Sequence, residues 1–318
     1  MTHHAQPAPP SAASPPGAPA PPQPTRRRSP VGRIPFYFLV PALLLYSFVL
    51  LVPSGQGAVL AFTDWDGLSR GWSFVGLANF RDLLDDGAAR GAVLHTVTIA
   101  VVVTIVQNTV GLLLALGVDS LIKSRNVLRI LFFAPAVMTP VVTSYLWRYL
   151  YAPDGAINST LEAAGLGALA QDWLGDSDLA IWSVIAMVIW QFSGYSMVIF
   201  LAGLQGVPKE LREAAAVDGA GPARRFWYVI RPMLLPALTI NLMLSMINSL
   251  KMFDQVWVLT GGGPGQATET MSTLIYRNAF QFGEYAYSTA VALVLTALVA
   301  VISAVQYREM ARQERGAR

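Results

Sequence analysis

Six apolar runs divide the sequence, at about residues 34 to 56, 92 to 118, 127 to 150, 179 to 204, 233 to 256 and 286 to 307. A helix rises ~1.5 Å per residue, so roughly 20 residues cross a hydrocarbon layer of about 30 Å. Inside that layer no water bonds the backbone, so only helices and closed barrels satisfy their own N–H and C=O groups. Runs this long and continuous suit helices. Composition agrees: 13% of the 318 residues are charged, whereas a soluble domain carries about 25%. The expected fold class is an all-α membrane protein with six transmembrane helices.

The first thirty residues hold ten of the 21 prolines and no aromatic residue, so they cannot bury enough apolar surface to offset the entropy of ordering. They read as part of a disordered tail over 1–33, ahead of a membrane domain over 34–307 and a short tail over 308–318. His3 and His4 sit near the flexible start, and no metal site is expected. The first run reads as a span rather than a cleaved leader, because it is long, no A-x-A site follows and five more spans come after it. Placing both termini in the cytoplasm puts 16 Lys and Arg inside and six outside, while acids run the other way, six to 13. That matches the excess of basic residues on cytoplasmic loops. The bilayer is therefore one partner, and no nucleic acid is expected.

The apolar runs lack Asp and Glu until their ends, where Arg148, Lys251 and Asp254 are expected near the outer interface. A proton-coupled carrier needs ionisable groups at depth, and none is visible mid-span. The chain also lacks a G-x-x-x-x-G-K-[ST] phosphate loop, and the glycine stretch Gly261 to Gly265 has neither its lysine nor its hydroxyl. Absence of cysteine removes disulfides, thiolate metal sites and a cysteine nucleophile. His95, at a span entrance, reads as interfacial. No cofactor and no catalytic residue are expected, and energy for transport must come from another chain.

The long cytoplasmic loop from Gln205 to Pro222 carries the most information. Pro208 suits a first helical turn, Glu210 sits near its positive end, and Gly219 supplies the left-handed residue that stops it. Pro222 can then start a second helix. Two readings fit: an amphipathic helix lying at the membrane surface, or a docking helix whose small face, Ala214, Ala215 and Ala216, lets another protein approach.

At these residues a family resemblance emerges. Glu213-Ala214-Ala215, Asp218-Gly219-Ala220, then Phe226, Ile230, Pro232 and Leu235-Pro236 resemble the EAA loop of permease subunits of binding-protein-dependent ABC importers, with acid, glycine and prolines at matching spacing. Phe253-Asp254, then Trp257 to Pro264 and Ala267 to Thr270, resemble the carbohydrate branch, and the Gly-Gly-Gly-Pro segment its maltose-type first permease. Phe62 to Trp65, Gly76 to Phe80 and Gly155 to Asn158 add to the likeness, which covers about residues 34 to 307. Arg231 departs from it, standing where many relatives hold an apolar residue.

The resemblance implies a type I importer permease fold. It also implies a second, similar permease subunit, two copies of a cytoplasmic ATPase subunit and an extracytoplasmic solute-binding protein. The solute would be a sugar or short oligosaccharide, with glycerol phosphate or a polyol as the alternative. The coupling site would be Glu213, Ala214, Ala215, Asp218, Gly219 and Ala220, within the loop 205–236. Gly261, Gly262, Gly263 and Pro264, with the outer acids Asp64, Asp66, Asp82, Asp85 and Asp86, would face the binding protein.

For the solute path, the residues themselves suggest three polar faces. Ser245, Asn248, Ser249 and Met252 fall at helical spacings of three, four and seven. Trp190, Gln191, Gly194 and Tyr195 offer aromatic and hydrogen-bonding surface in span four, and Thr104, Gln107, Asn108 and Gly111 repeat the pattern in span two. Small and polar residues also serve as glue between membrane helices, and both readings stay open. An ATP-independent carrier or channel is the alternative from another class; a membrane enzyme would need convergent carboxylates or a metal cluster, which the sequence lacks.

Overall fold

The computed structural model of the protein describes residues 36–119 and 124–316. The tail over 1–33 and Lys123 lie outside the described residues. The chain divides into two units, Met1–Val52 and Pro53–Arg318. In the first, a 3-10 turn (Phe36–Phe38) leads into α1 (Val40–Tyr46) and a π-helical turn (Ser47–Leu51). Helical backbone continues through α2 (Val52–Leu60), and the stretch Val40–Leu60 is long and apolar enough to cross a membrane.

The second unit continues with α3 (Ala78–Asp85), α4 (Gly87–Asp119), α5 (Arg125–Val137), α6 (Pro140–Leu150) and α7 (Ala156–Ala163). Then come α8 (Ala180–Gln205), α9 (Lys209–Val217), α10 (Pro222–Arg225) and α11 (Arg231–Leu250). It closes with α12 (Asp254–Leu259), α13 (Met271–Arg277) and α14 (Tyr285–Gly316). α4, α8, the run Pro222–Leu250 and Tyr285–Met310 also meet the requirements of a span.

The third expected span is where the structure differs most from the sequence reading. Instead of one rod over 127–150, α5 and α6 meet at a bend of 98°. The cause is local: the ring of Pro140 disfavours helical backbone at the residue before it, and Thr139 is extended with ψ 148°. Thr139 then caps α6, its side chain accepting from the Val142 amide at 3.4 Å. The fifth span also ends early. α11 stops at Leu250, Lys251 to Phe253 leave the helix, and α12 starts afresh at Asp254 rather than the span running to 256. At the C-terminal end α14 stays helical to Gly316, well past residue 307.

Apolar burial between helices gains little from water exclusion inside lipid, so close packing has to hold them. α4 and α8 share the most extensive contact in the molecule. A side chain at Gly111 of α4 would meet the Ser196 Cβ of α8 at 2.5 Å, and one at Gly203 of α8 would meet Ala237 of α11 at 2.7 Å. Ile99 and Val103 interlock with Val184, Met187 and Val188 at one end of this pair, and Ala115 and Val118 with Met197, Phe200 and Leu204 at the other.

Candidate functional site

A cavity of about 440 Å³ lies where α4, α8 and α11 converge beside the break between α5 and α6. α4 contributes Gln107, α8 contributes Phe192 and Tyr195, and α11 contributes Asn241, Ser245, Asn248 and Ser249. The expected stripe on span five is thus one wall, and Met252 joins it from just beyond the helix end. A buried polar network underlies that wall. Gln107 Nε2 donates to Ser196 Oγ at 2.8 Å, Asn108 Nδ2 donates to Ser245 Oγ at 2.8 Å, and Ser245 Oγ donates to the Asn241 carbonyl at 2.9 Å.

That network separates the two readings of the polar residues. Gln107, Asn108, Asn241 and Ser245 are buried and bonded helix to helix, as glue would be, and Gly111 is a packing contact. Asn248 and Tyr195 differ: both line the cavity, both are exposed, and their side-chain polar atoms have no hydrogen-bond partner among the described residues. Their polar groups are therefore left unpaired at the cavity wall.

Trp190 and Gln191 do not line the cavity. Trp190 lies five residues before Tyr195, which turns it to another face of α8, where it stands edge-on to Trp147 of α6 at 5.4 Å. Gln191 is fully buried, and its Nε2 donates to the Met138 carbonyl at 3.1 Å. It braces the α5–α6 break, whose last carbonyls have no helical partner. Gly194 is likewise structural, pressed against the Phe132 backbone of α5. Lys251, Asp254 and Gln255 also line the cavity, although the sequence places Lys251 and Asp254 only near an interface. The break after Leu250, unseen in an apolar count, turns them inward.

At the other end of the molecule stands α9. Pro208 precedes the helix with ψ 134° rather than entering its first turn. Its far end is a Schellman cap: the Gly219 amide donates to the Ala216 carbonyl at 3.1 Å and the Ala220 amide to the Ala215 carbonyl at 2.9 Å. Gly219 has φ +77°, the left-handed backbone that glycine adopts without strain. The Asp-Gly-Ala triplet is therefore the device that stops α9 and starts α10, with Pro222 in its first turn. No residue of α9 is buried; Glu213, Ala214 and Asp218 are exposed, and Val217 is 89% exposed. The departure at Arg231 is accommodated on the next helix, its guanidinium lying 4.9 Å from the Trp227 ring centre.

Between α12 and α13 the Gly-Gly-Gly-Pro segment folds back on itself. Arg277 Nη2 donates to the Gly261 carbonyl at 2.7 Å and lies 2.8 Å from Glu269 Oε2. Gly262 is buried over that pair, so a side chain there would collide with the Glu269 carboxylate. Burial pushes the Glu269 carboxyl above its ordinary range, against the opposing pull of Thr273, Arg277 and His95. His95 is placed by this loop, its Nδ1 3.0 Å from the Glu269 carbonyl. Gly265 and Gln266 form the exposed tip. Among the outer acids, Asp66 receives the Leu68 and Ser69 amides at 2.9 and 2.7 Å, and Asp64 receives the Ser73 amide and hydroxyl. Asp64, Asp66, Asp82 and Asp86 line one shallow basin with Trp65 and Tyr287.

Residues 107–314 match the family described as the binding-protein-dependent transport system inner membrane component. The chain is 32% identical over 271 residues to the multiple sugar-binding transport system permease protein of Streptococcus mutans, covering 85% of this chain and 93% of that protein. It is 32% identical over 279 residues to the sn-glycerol-3-phosphate transport system permease protein of Brucella abortus, covering 86% and 94%. A solved bacterial alginate ABC transporter, in complex with an alginate pentasaccharide-bound periplasmic protein, has the same fold: TM-score 0.78 at 20% identity, over 88% of this chain and 94% of that one. The protein therefore belongs to the binding-protein-dependent transport system inner membrane components, the permease subunits of ABC importers.

Proposed function

We propose that this permease moves a sugar or short oligosaccharide into the cell, driven by separate ATPase subunits that dock on α9. The observation carrying the solute reading is the cavity between α4, α8 and α11, whose free groups, the Asn248 amide and the Tyr195 ring and hydroxyl, suit sugar hydroxyls and a sugar ring face. The proposal has both termini and α9 on the cytoplasmic side. A second, similar permease faces this one, and an extracytoplasmic solute-binding protein delivers the solute to the outer loops. Glu213 and Asp218 then meet basic or amide groups of an ATPase subunit, while Ala214, Ala215, Gly219 and Ala220 permit close approach. Closure of the ATPase pair shifts α9 and tips the spans between outward and inward openings.

The test is uptake by proteoliposomes holding the complete importer. Asn248→Leu and Tyr195→Ala each lower solute uptake while the complex still assembles. If both variants disrupt assembly, yet whatever assembles transports normally, these residues are packing and the solute reading falls. Lys251 in the cavity wall favours a second reading, an anionic solute such as a glycerol phosphate. Lys251→Gln would then abolish uptake of the phosphate and spare that of a neutral sugar.

A further inference from the structure

We propose that Arg212 is the positioning residue through which α9 grips the cavity-bearing helices, so that displacement of α9 is transmitted to α4 and α8 together. The inference rests on the docking role proposed above for α9. That helix buries no side chain, so apolar interlocking cannot carry its motion. Its backbone neighbours include α10 and the π-helical turn Phe226–Ile230, which lead into α11, and the short link Gly206 to Pro208 ties its start to α8. Arg212 adds a side-chain connection that reaches α4 as well as α8. Its Nη1 lies 2.8 Å from Asp119 Oδ2, at the last residue of α4, and its Nη2 donates to the Leu204 carbonyl, in the last turn of α8, at 2.6 Å.

A guanidinium is a planar fork that holds two acceptors in fixed relation, which an ammonium cannot do. The Leu204 carbonyl sits in the last turn of α8, where unpaired carbonyls and the helix dipole favour a cation. Arg212 also buries its Nε without a partner, a cost that a solvated surface arginine avoids. Among the described residues it is the one ion-paired side chain on α9. α4 and α8, which it bridges, carry Gln107 and Tyr195 to the cavity.

The test measures solute taken up per ATP hydrolysed in proteoliposomes of the complete importer. Alongside it, an Ala214→Cys label reports whether α9 crosslinks to the ATPase subunit. Arg212→Ala lowers the ratio about fivefold or more, the scale of a typical coupling between sites, while the crosslink persists. Arg212→Lys, able to reach one acceptor, falls between. The exchange Asp119→Arg with Arg212→Asp recovers the ratio above either single variant. An unchanged ratio in Arg212→Ala, or an exchange no better than its singles, overturns the proposal. Where Arg212→Ala fails to assemble, the lysine variant and the exchange decide on the same ratio. Loss of the crosslink in the Ala214→Cys protein that retains Arg212 would instead overturn the docking reading, and this inference with it.

Discussion

Asp64 and Asp66 show how single side chains order the first outer loop. Hydrogen bonds from Ser69, then from the Ser69 and Leu68 amides, pull Asp66 down to about 2, and the Ser73 hydroxyl and amide lower Asp64. A carboxyl whose folded value is depressed lends order that is complete above its ordinary value and lost as pH falls through the folded one. Protection of the Ser69 amide from hydrogen exchange, after correction for the intrinsic rate, should therefore hold at about pH 5 and fade towards about pH 2. Asp66→Asn should remove that dependence; equal protection at both pH values in the unaltered protein would refute the account. Gly194 makes a different residue-level claim. The Phe132 carbonyl of α5 occupies the space that a β-carbon would need, and backbone cannot swing aside as a side-chain tip can. Gly194→Val should destabilise the bundle by about 1–3 kcal/mol or more, as overpacking does, visible as a lower unfolding temperature in detergent. A variant as stable as the parent would mean that α5 yields freely.

Among the elements, spans were legible and breaks were not. Hydropathy reports how apolar a run is, and it found the five helices long enough to span, with the bent pair α5–α6 as the sixth apolar run; it is blind to backbone direction, so the bend imposed by Pro140 and the stop after Leu250 passed unseen. The stripe from Ser245 to Ser249 was readable because helical spacing alone places those residues together, whereas Met252 joins the wall from beyond the helix end. Trp190 was misplaced although the same arithmetic separates it from Tyr195. Gln191 lay beyond that arithmetic: it shares a face with Tyr195 at a spacing of four, yet the broken span leaves it a carbonyl to satisfy. The cap of α9 was legible down to Gly219, since glycine is the residue that most readily takes the left-handed backbone of such a stop. In the glycine loop Gly262 is buried and Gly265 and Gln266 are exposed, so the proposed contact with a binding protein falls at the tip. Gly265→Trp should weaken binding-protein-dependent uptake and leave membrane insertion unchanged. Uptake equal to that of the parent would remove this loop from the interface.

For the whole molecule, the proposed importer joins two halves, the cavity lined by α4, α8 and α11 and the bare helix α9 on the proposed cytoplasmic side of the same bundle. The natural absence of cysteine makes the joining of these halves directly measurable. A single cysteine is placed at Ala214 on α9 or, in a parallel protein, at Arg125 at the start of α5, and each is crosslinked within the assembled importer. If α9 is the docking helix, the ATPase subunit is captured from position 214, with a yield that changes when ATP binds. Capture from position 125 with none from 214 would contradict that role.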